Sequence, residues 1–300
     1  MTGKKIVNVD VNENIVMMRT LGTPFNEGNV ICLNQKEGLI FIDAGRIAKD
    51  TAEFRIAMEN RYNKKTLLAI LTHSHGDHFF GLEAFKDVPV IATQQAIDEF
   101  TKQIESGRFT EKGRELFVQG IIEESKKGTF ELTEEWHNDW SVNYLNANLY
   151  FPSIGVKDEL TIGTGEDEYL FKLIGGHSKC SAYLYNKTNK ILITGDNFNC
   201  DHAGNSSCML MGAMNSVAIL KQFEAMDVSV VLPGHGMVVD KTYISKTREY
   251  LEEMFAKLKE YKEKGILFDE VLKDENLPEF IEEKKPDDWN RILRLWYENV

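Results

Sequence analysis

The chain has 300 residues, 42% hydrophobic and 27% charged, enough to bury a sizeable core and ordinary for a folded soluble protein. Its formal net charge of -12 opposes a phosphate backbone, and no dense Lys/Arg run with interleaved aromatics occurs, so no nucleic-acid partner is expected. Four cysteines without a CxxC pair exclude a disulfide scaffold, and no stretch approaches the roughly 18 apolar residues of a membrane span, so a cytoplasmic protein with reduced thiols and no membrane partner is expected.

In chain order, IVNVDV, IVMMRTLG, NVICLN and GLIFIDAG read as short strands between Gly, Asn and Pro punctuation. Residues 48–62 predict an amphipathic helix with Phe54, Ile56, Met58 and Tyr62 facing a sheet. LLAILTH predicts a strand covered on both faces that delivers its end into His73. VPVIAT reads as a strand and TQQAIDEFTKQIES as a helix, and residues 108–150 follow as a long polar and aromatic stretch. From Ile154, strands return in GVKDELTIG, EYLFKLIGG, SAYLYN, KILITGD and VSVVLPGHG, with one helix at about 216–226 before the last. The tail predicts a helix with Tyr250, Leu251, Met254, Phe255, Leu258 and Tyr261 on one face and Gly265 as its cap. A final helix after Pro286 carries Trp289, Ile292, Leu293 and Trp296. These helices read as a layer on the domain, with a homodimer surface or a pocket wall as alternatives. Strands leading into polar loops in both halves imply a layered α/β architecture, one domain over 1–300 with an insertion at 101–152 and a C-terminal helical extension at 241–300.

The chemistry concentrates at strand ends. His73-Ser74-His75-Gly76-Asp77-His78 puts four metal-ligand types in six residues, directly after a strand. In an extended turn His73 and His75 point the same way and grip one ion, while Asp77 and His78, at the start of the next helix, turn towards a second. His177 in LIGGHS, Asp196 in ILITGD and His235 in VVLPGHG each end an apolar strand beside a glycine. Five of the chain's seven histidines occupy this context, which chance placement does not account for. Nitrogen and carboxylate donors without thiolate suit two Zn(II) ions, and Fe, Mn or Co accept the same set.

This ordered set, HxHxDH followed by Gly-His, a strand-terminal Asp and a late Gly-His, resembles the metallo-β-lactamase superfamily from about residue 29 to about residue 240. The resemblance implies a four-layer αβ/βα sandwich with the metals at one edge between two sheets. It assigns His73, His75 and His177 to the first metal, Asp77, His78 and His235 to the second, and Asp196 to a bridge. It makes Asp43 in FIDAG the residue that orients a ligand histidine; a strand-end turn role is the plainer alternative.

Two cations sharing a carboxylate and a water would bring that water's pKa from 15.7 towards about 7, so hydroxide attack on an ester, thioester or lactone of a small molecule is the expected reaction. Asp77 then helps to hold the nucleophile. The alternatives are a mononuclear-iron persulfide dioxygenase-like oxidoreductase, and β-lactam or phosphodiester hydrolysis. After Asp196 the loop NFNCDHAGNSSCMLMG carries His202 but no tyrosine, a departure from the homoserine-lactone hydrolases of the superfamily. His202 is read either as a group that contacts substrate or protonates the leaving group, or as a solvated loop histidine. His137 reads as a surface residue. Cys180, where the family has a small residue, is either near the metals or a buried structural thiol, and Cys200 and Cys208 are expected to stay reduced. Phe109, Phe117, Trp136, Trp140 and Tyr144 either wall a pocket beneath a lid or pack on the core.

Overall fold

In the computed structural model, residues 4–21, 27–126, 141–200, 213–278 and 289–300 are described. The chain divides into two compact units, one of Met1–Gly175 with Lys179–Thr188, the other of Gly176–Ser178 with Asn189–Val300. Among the described residues no helix is long and apolar enough to cross a membrane.

The first unit holds a seven-stranded sheet whose spatial order follows the sequence: β1 (Lys5–Asn12), β2 (Ile15–Leu21), β3 (Val30–Asn34), β4 (Leu39–Ile42), β5 (Thr66–Ile70), β6 (Val90–Thr93) and β7 (Ile154–Val156). β1 to β4 pair antiparallel, each with the next in sequence. β4 to β7 pair parallel, and each parallel step needs a crossover long enough to hold helices. These are α1 (Ala48–Tyr62), then α2 (Gly76–Phe79) with a 3-10 segment at Phe80–Phe85, then α3 (Gln94–Glu105), α4 (Glu111–Lys126) and α5 (Val142–Asn146). An antiparallel meander of β8 (Glu159–Ile162), β9 (Tyr169–Leu173) and β10 (Ala182–Asn186) completes the unit.

Three local expectations need correction. On α1 the buried residues are Thr51, Phe54 and Met58, whereas Ile56 is 58% exposed: 54 and 58 lie one turn apart on a shared face, and 56 falls opposite. On β5 only the C-terminal half is covered on both faces, and Leu67 is 40% exposed. GVKDELTIG is two strands, because the chain turns at 157–158; β7 joins the parallel edge beside β6, and β8 pairs with β9.

The core of this unit is aromatic. Phe41 lies edge-on to Phe54 with centroids 5.8 Å apart and 5.1 Å from Phe85. Of the insertion's aromatics, Tyr144 is buried 4.8 Å from Phe80, Phe117 packs 5.4 Å from Tyr144, and Phe109 packs 5.8 Å from Phe79, so these three join the core. Trp136, Trp140 and His137 lie outside the described residues. Gly81 shows how closely the crossover sits on the sheet, since a Cβ there would fall 1.9 Å from the Ala44 carbonyl oxygen. That clash is with backbone, so Gly81→Ala is expected to lower stability by about 1–3 kcal/mol, read as a lower denaturant midpoint at unchanged slope.

In the second unit β11 (Ile191–Gly195) and β12 (Val230–Pro233) pair parallel, joined through the segment that contains α6 (Ala213–Ala225). Then come α7 (Lys241–Glu263), α8 (Phe268–Val271) and α9 (Trp289–Asn299). Asp240 caps α7 by accepting from the Thr242 amide, and Gly265, at φ +69°, follows its end. The buried face of α7 includes all six residues that the apolar spacing predicts, and Phe255 meets Trp296 of α9 edge-on at 5.5 Å.

Candidate metal centre

Apart from His177, which lies between the antiparallel strands β9 and β10, the ligand-type residues follow the ends of parallel strands, where backbone leaves the ladder. In the first unit β4 and β5 run in register, Ile42 beside Ile70, so Asp43 emerges next to the segment Leu71-Thr72-His73. Asp43 adopts φ +59°, a conformation Asp tolerates better than most residues, and is 3% exposed. Its Oδ1 accepts the Thr72 amide at 2.7 Å; its Oδ2 accepts the Thr72 hydroxyl at 2.8 Å and faces His78 Nδ1 at 2.9 Å. A carboxylate only accepts, so His78 donates from Nδ1, and in the neutral imidazole its Nε2 carries the lone pair. His73 Nδ1 lies 3.1 Å from the Thr72 hydroxyl. His75 caps α2, which carries Asp77 and His78, and the rings of His75 and His78 lie 4.7 and 4.2 Å from that of His73. The first unit therefore brings the rings of His73, His75 and His78 together, with Asp77 Oδ2 3.8 Å from His78 Nε2.

A second carboxylate system steadies Asp77. Arg46 donates from Nε to Glu27 Oε2 at 2.9 Å, and its Nη2 lies 3.9 Å from Asp77 Oδ2. Burial pushes the Glu27 carboxyl up from its ordinary value, against the pull of Arg46. Burial alone would lower Arg46; Glu27 and Asp77 outweigh it and hold the guanidinium above its usual value, charged throughout. Gly28 lets this strand entry approach the ligands, since a Cβ there would lie 2.6 Å from the Asp77 carbonyl oxygen and 2.8 Å from His78 Cε1. Glu27 and Arg46 carry no signature in the sequence.

In the second unit β11 and β12 deliver Asp196 and His235 side by side, and His177 completes the group. Asp196 is 3% exposed, with Oδ2 3.4 Å from His177 Nε2 and Oδ1 3.3 Å from His235 Nε2. Asn197 and Asn199, read in sequence only as loop residues, accept the backbone amides of His177 at 2.9 Å and His235 at 3.0 Å. The donors of both groups are imidazole nitrogen and carboxylate oxygen without a thiolate among the described residues, all buried except the half-buried His75 and Asp77, which fits a borderline divalent cation.

Among the described residues, no cysteine belongs to this donor set. Cys180 is buried, its Sγ 3.4 Å from the Ser74 hydroxyl and its carbonyl accepting from Thr93 at 2.9 Å, the role of a structural thiol beside the metal-ligand turn. Burial pushes the Cys32 thiol up to about 12. Cys200 is buried and in no disulfide, and its backbone pairs with that of Gly236. Cys208 and His202 lie outside the described residues.

No curated protein sequence matches the chain. Among solved structures, the stereoselective inverting sec-alkylsulfatase Pisa1 from Pseudomonas sp. is similar over 98% of this chain and 50% of its own, with TM-score 0.67 and 18% identity. The chain thus spans about half the length of that enzyme. The metallo-beta-lactamase from Pontibacter korlensis is similar over 83% of this chain and 99% of its own, with TM-score 0.54 and 17% identity. For the metallo-beta-lactamase IND-7 the figures are 84%, 99%, 0.58 and 16%. At such identities the likeness is one of fold, and it is the mixed α/β fold expected from the strand and ligand order. The family model of the metallo-beta-lactamase superfamily matches residues 23–235, more than half of the chain and every candidate ligand from His73 to His235, and the chain belongs to that superfamily.

Proposed function

We propose that the chain is a metal-dependent hydrolase acting on an ester, thioester or lactone of a small molecule, with the two ligand groups working as one dinuclear zinc centre. In this reading His73, His75 and His177 hold one ion, Asp77, His78 and His235 the other, and Asp196 serves both. The observation that supports it most is the fixed tautomer of His78, whose Nδ1 proton is committed to Asp43 so that Nε2 is the atom presented, the arrangement typical of a metal-ligating imidazole. Bound there, two cations would polarise the scissile group's oxygen and lower the pKa of a water from 15.7 towards about 7. The protein's own contribution is to hold and aim. Asp77, with its side chain 20% exposed against 3% for Asp196, is in this reading the carboxylate that orients the attacking water, with the Arg46 guanidinium 3.9 Å from its Oδ2. The net charge of -12 favours a small substrate over a polyanion.

A second substrate class follows from one observation. The similarity to the sec-alkylsulfatase extends over 98% of this chain, against 83% and 84% for the two lactamases, which adds a sulfate ester to the candidates.

Metal analysis of the zinc-reconstituted protein, with turnover measured on a panel of ester, thioester, lactone, β-lactam, phosphodiester and alkyl sulfate, tests both readings. About two ions per chain are expected, since the donors exceed one tetrahedral site, together with turnover of a carboxylic ester, thioester or lactone. One ion or none overturns the dinuclear centre. Turnover confined to the sulfate moves the assignment to the second class.

A further inference from the structure

The segment after β11, Asp196-Asn197-Phe198-Asn199, meets His177 and His235 twice each. The Asp196 carboxylate faces their rings, one oxygen to each, at 3.4 Å for His177 and 3.3 Å for His235. The flanking amides face their backbones, Asn197 Oδ1 accepting from the His177 amide at 2.9 Å and Asn199 Oδ1 from the His235 amide at 3.0 Å. Both asparagines are buried, at 2% and 3% exposure. Their orientation follows from chemistry, because a backbone N–H only donates and the carboxamide oxygen must face it.

The neighbouring glycines show how tight the arrangement is. A Cβ on Gly176, which has φ +95°, would lie 2.3 Å from Asn197 Oδ1, and one on Gly234 would lie 2.1 Å from Asp196 Oδ1. The two Gly-His pairs of the sequence are thus the places where a histidine-bearing loop lies directly against this one segment. A loop histidine held only by its ring would lose backbone freedom when it binds an ion, and an anchored one has already lost it.

The geometry points to Asn197 and Asn199 as positioning residues: a clasp that fixes the backbones of His177 and His235 around Asp196 before metal arrives. The proposal rests on the metal reading above. Alanine at either position removes the acceptor, whereas aspartate keeps an oxygen in the same place. In zinc titrations of the apo protein against a chromophoric chelator, N197A and N199A are expected to weaken binding about 10- to 100-fold, and N197D and N199D to stay close to wild type. In the wild-type apo protein the backbone amides of His177 and His235 are expected to exchange slowly with solvent deuterium, a measurement that needs no variant to fold.

Alanine variants that keep the native circular dichroism and bind zinc as tightly as wild type would overturn the clasp. So would aspartate variants as weak as the alanine ones, or fast exchange of the two amides in the apo protein. A wild-type chain that binds no zinc would overturn the metal reading itself, an outcome visible before any variant is compared.

Discussion

Replacing Asp196 with alanine is expected to lower occupancy of both metal positions together and to abolish most turnover. Each of its carboxylate oxygens faces a different histidine, Oδ2 towards His177 and Oδ1 towards His235, and in the proposed centre those histidines belong to different ions. Gly234 lies directly against this carboxylate, a Cβ there falling 2.1 Å from Asp196 Oδ1. A two-cation centre contributes several kcal/mol of transition-state stabilisation, and at about 1.36 kcal/mol per tenfold in rate its loss corresponds to about 10² to 10⁴ in turnover. Elemental analysis of D196A after zinc reconstitution, beside the same measurement on wild type, is the decisive comparison. Loss of one ion with the second retained at full occupancy would show that Asp196 serves a single site.

How far the sequence speaks depends on how local the signal is. His73 to His78 are legible because four donors stand within one turn after an apolar strand, and Asp196 and His235 because each closes a strand beside a glycine. The aromatic residues at 109, 117 and 144 were open between pocket wall and core, since burial is a property of what packs against them; Phe79 and Phe80 answer it in space. Arg46 and Glu27 escape any pattern, as the pair that steadies Asp77 is drawn from separate turns and linked only through the fold. Asn197 and Asn199 are hidden in a different way. As residues after a strand they look like ordinary loop chemistry, and only their hydrogen bonds to positions 177 and 235 single them out. Ile56 departs from the expected sheet-facing set because it lies two positions after Phe54, and a 3.6-residue period puts such residues on different helix faces.

The last expected result concerns Asp43, and it separates folding from metal binding. Asp43→Ala removes the acceptor for the Thr72 amide and the partner of His78 Nδ1, and leaves alanine at φ +59°, so a loss of about 1–3 kcal/mol for each orphaned donor is expected. Asp43→Asn preserves the shape and tolerates the left-handed conformation. Its orientation is forced: the Thr72 amide only donates, so the carboxamide oxygen must take the Oδ1 position and the NH2 group the Oδ2 position. There the NH2 can donate to the Thr72 hydroxyl, but it also faces His78 Nδ1, which must now accept. The imidazole proton then moves to Nε2, the atom that His78 needs as a ligand. D43N is therefore expected to fold with a melting temperature near that of wild type in the metal-free state, yet to bind zinc about 10- to 100-fold more weakly at the position His78 serves. Nitrogen-15 shifts of the His78 ring in the two apo proteins report the tautomer directly. An unchanged Nδ1-protonated ring in D43N, or unchanged zinc affinity despite the altered ring, would show that Asp43 does not set the state in which His78 meets a metal.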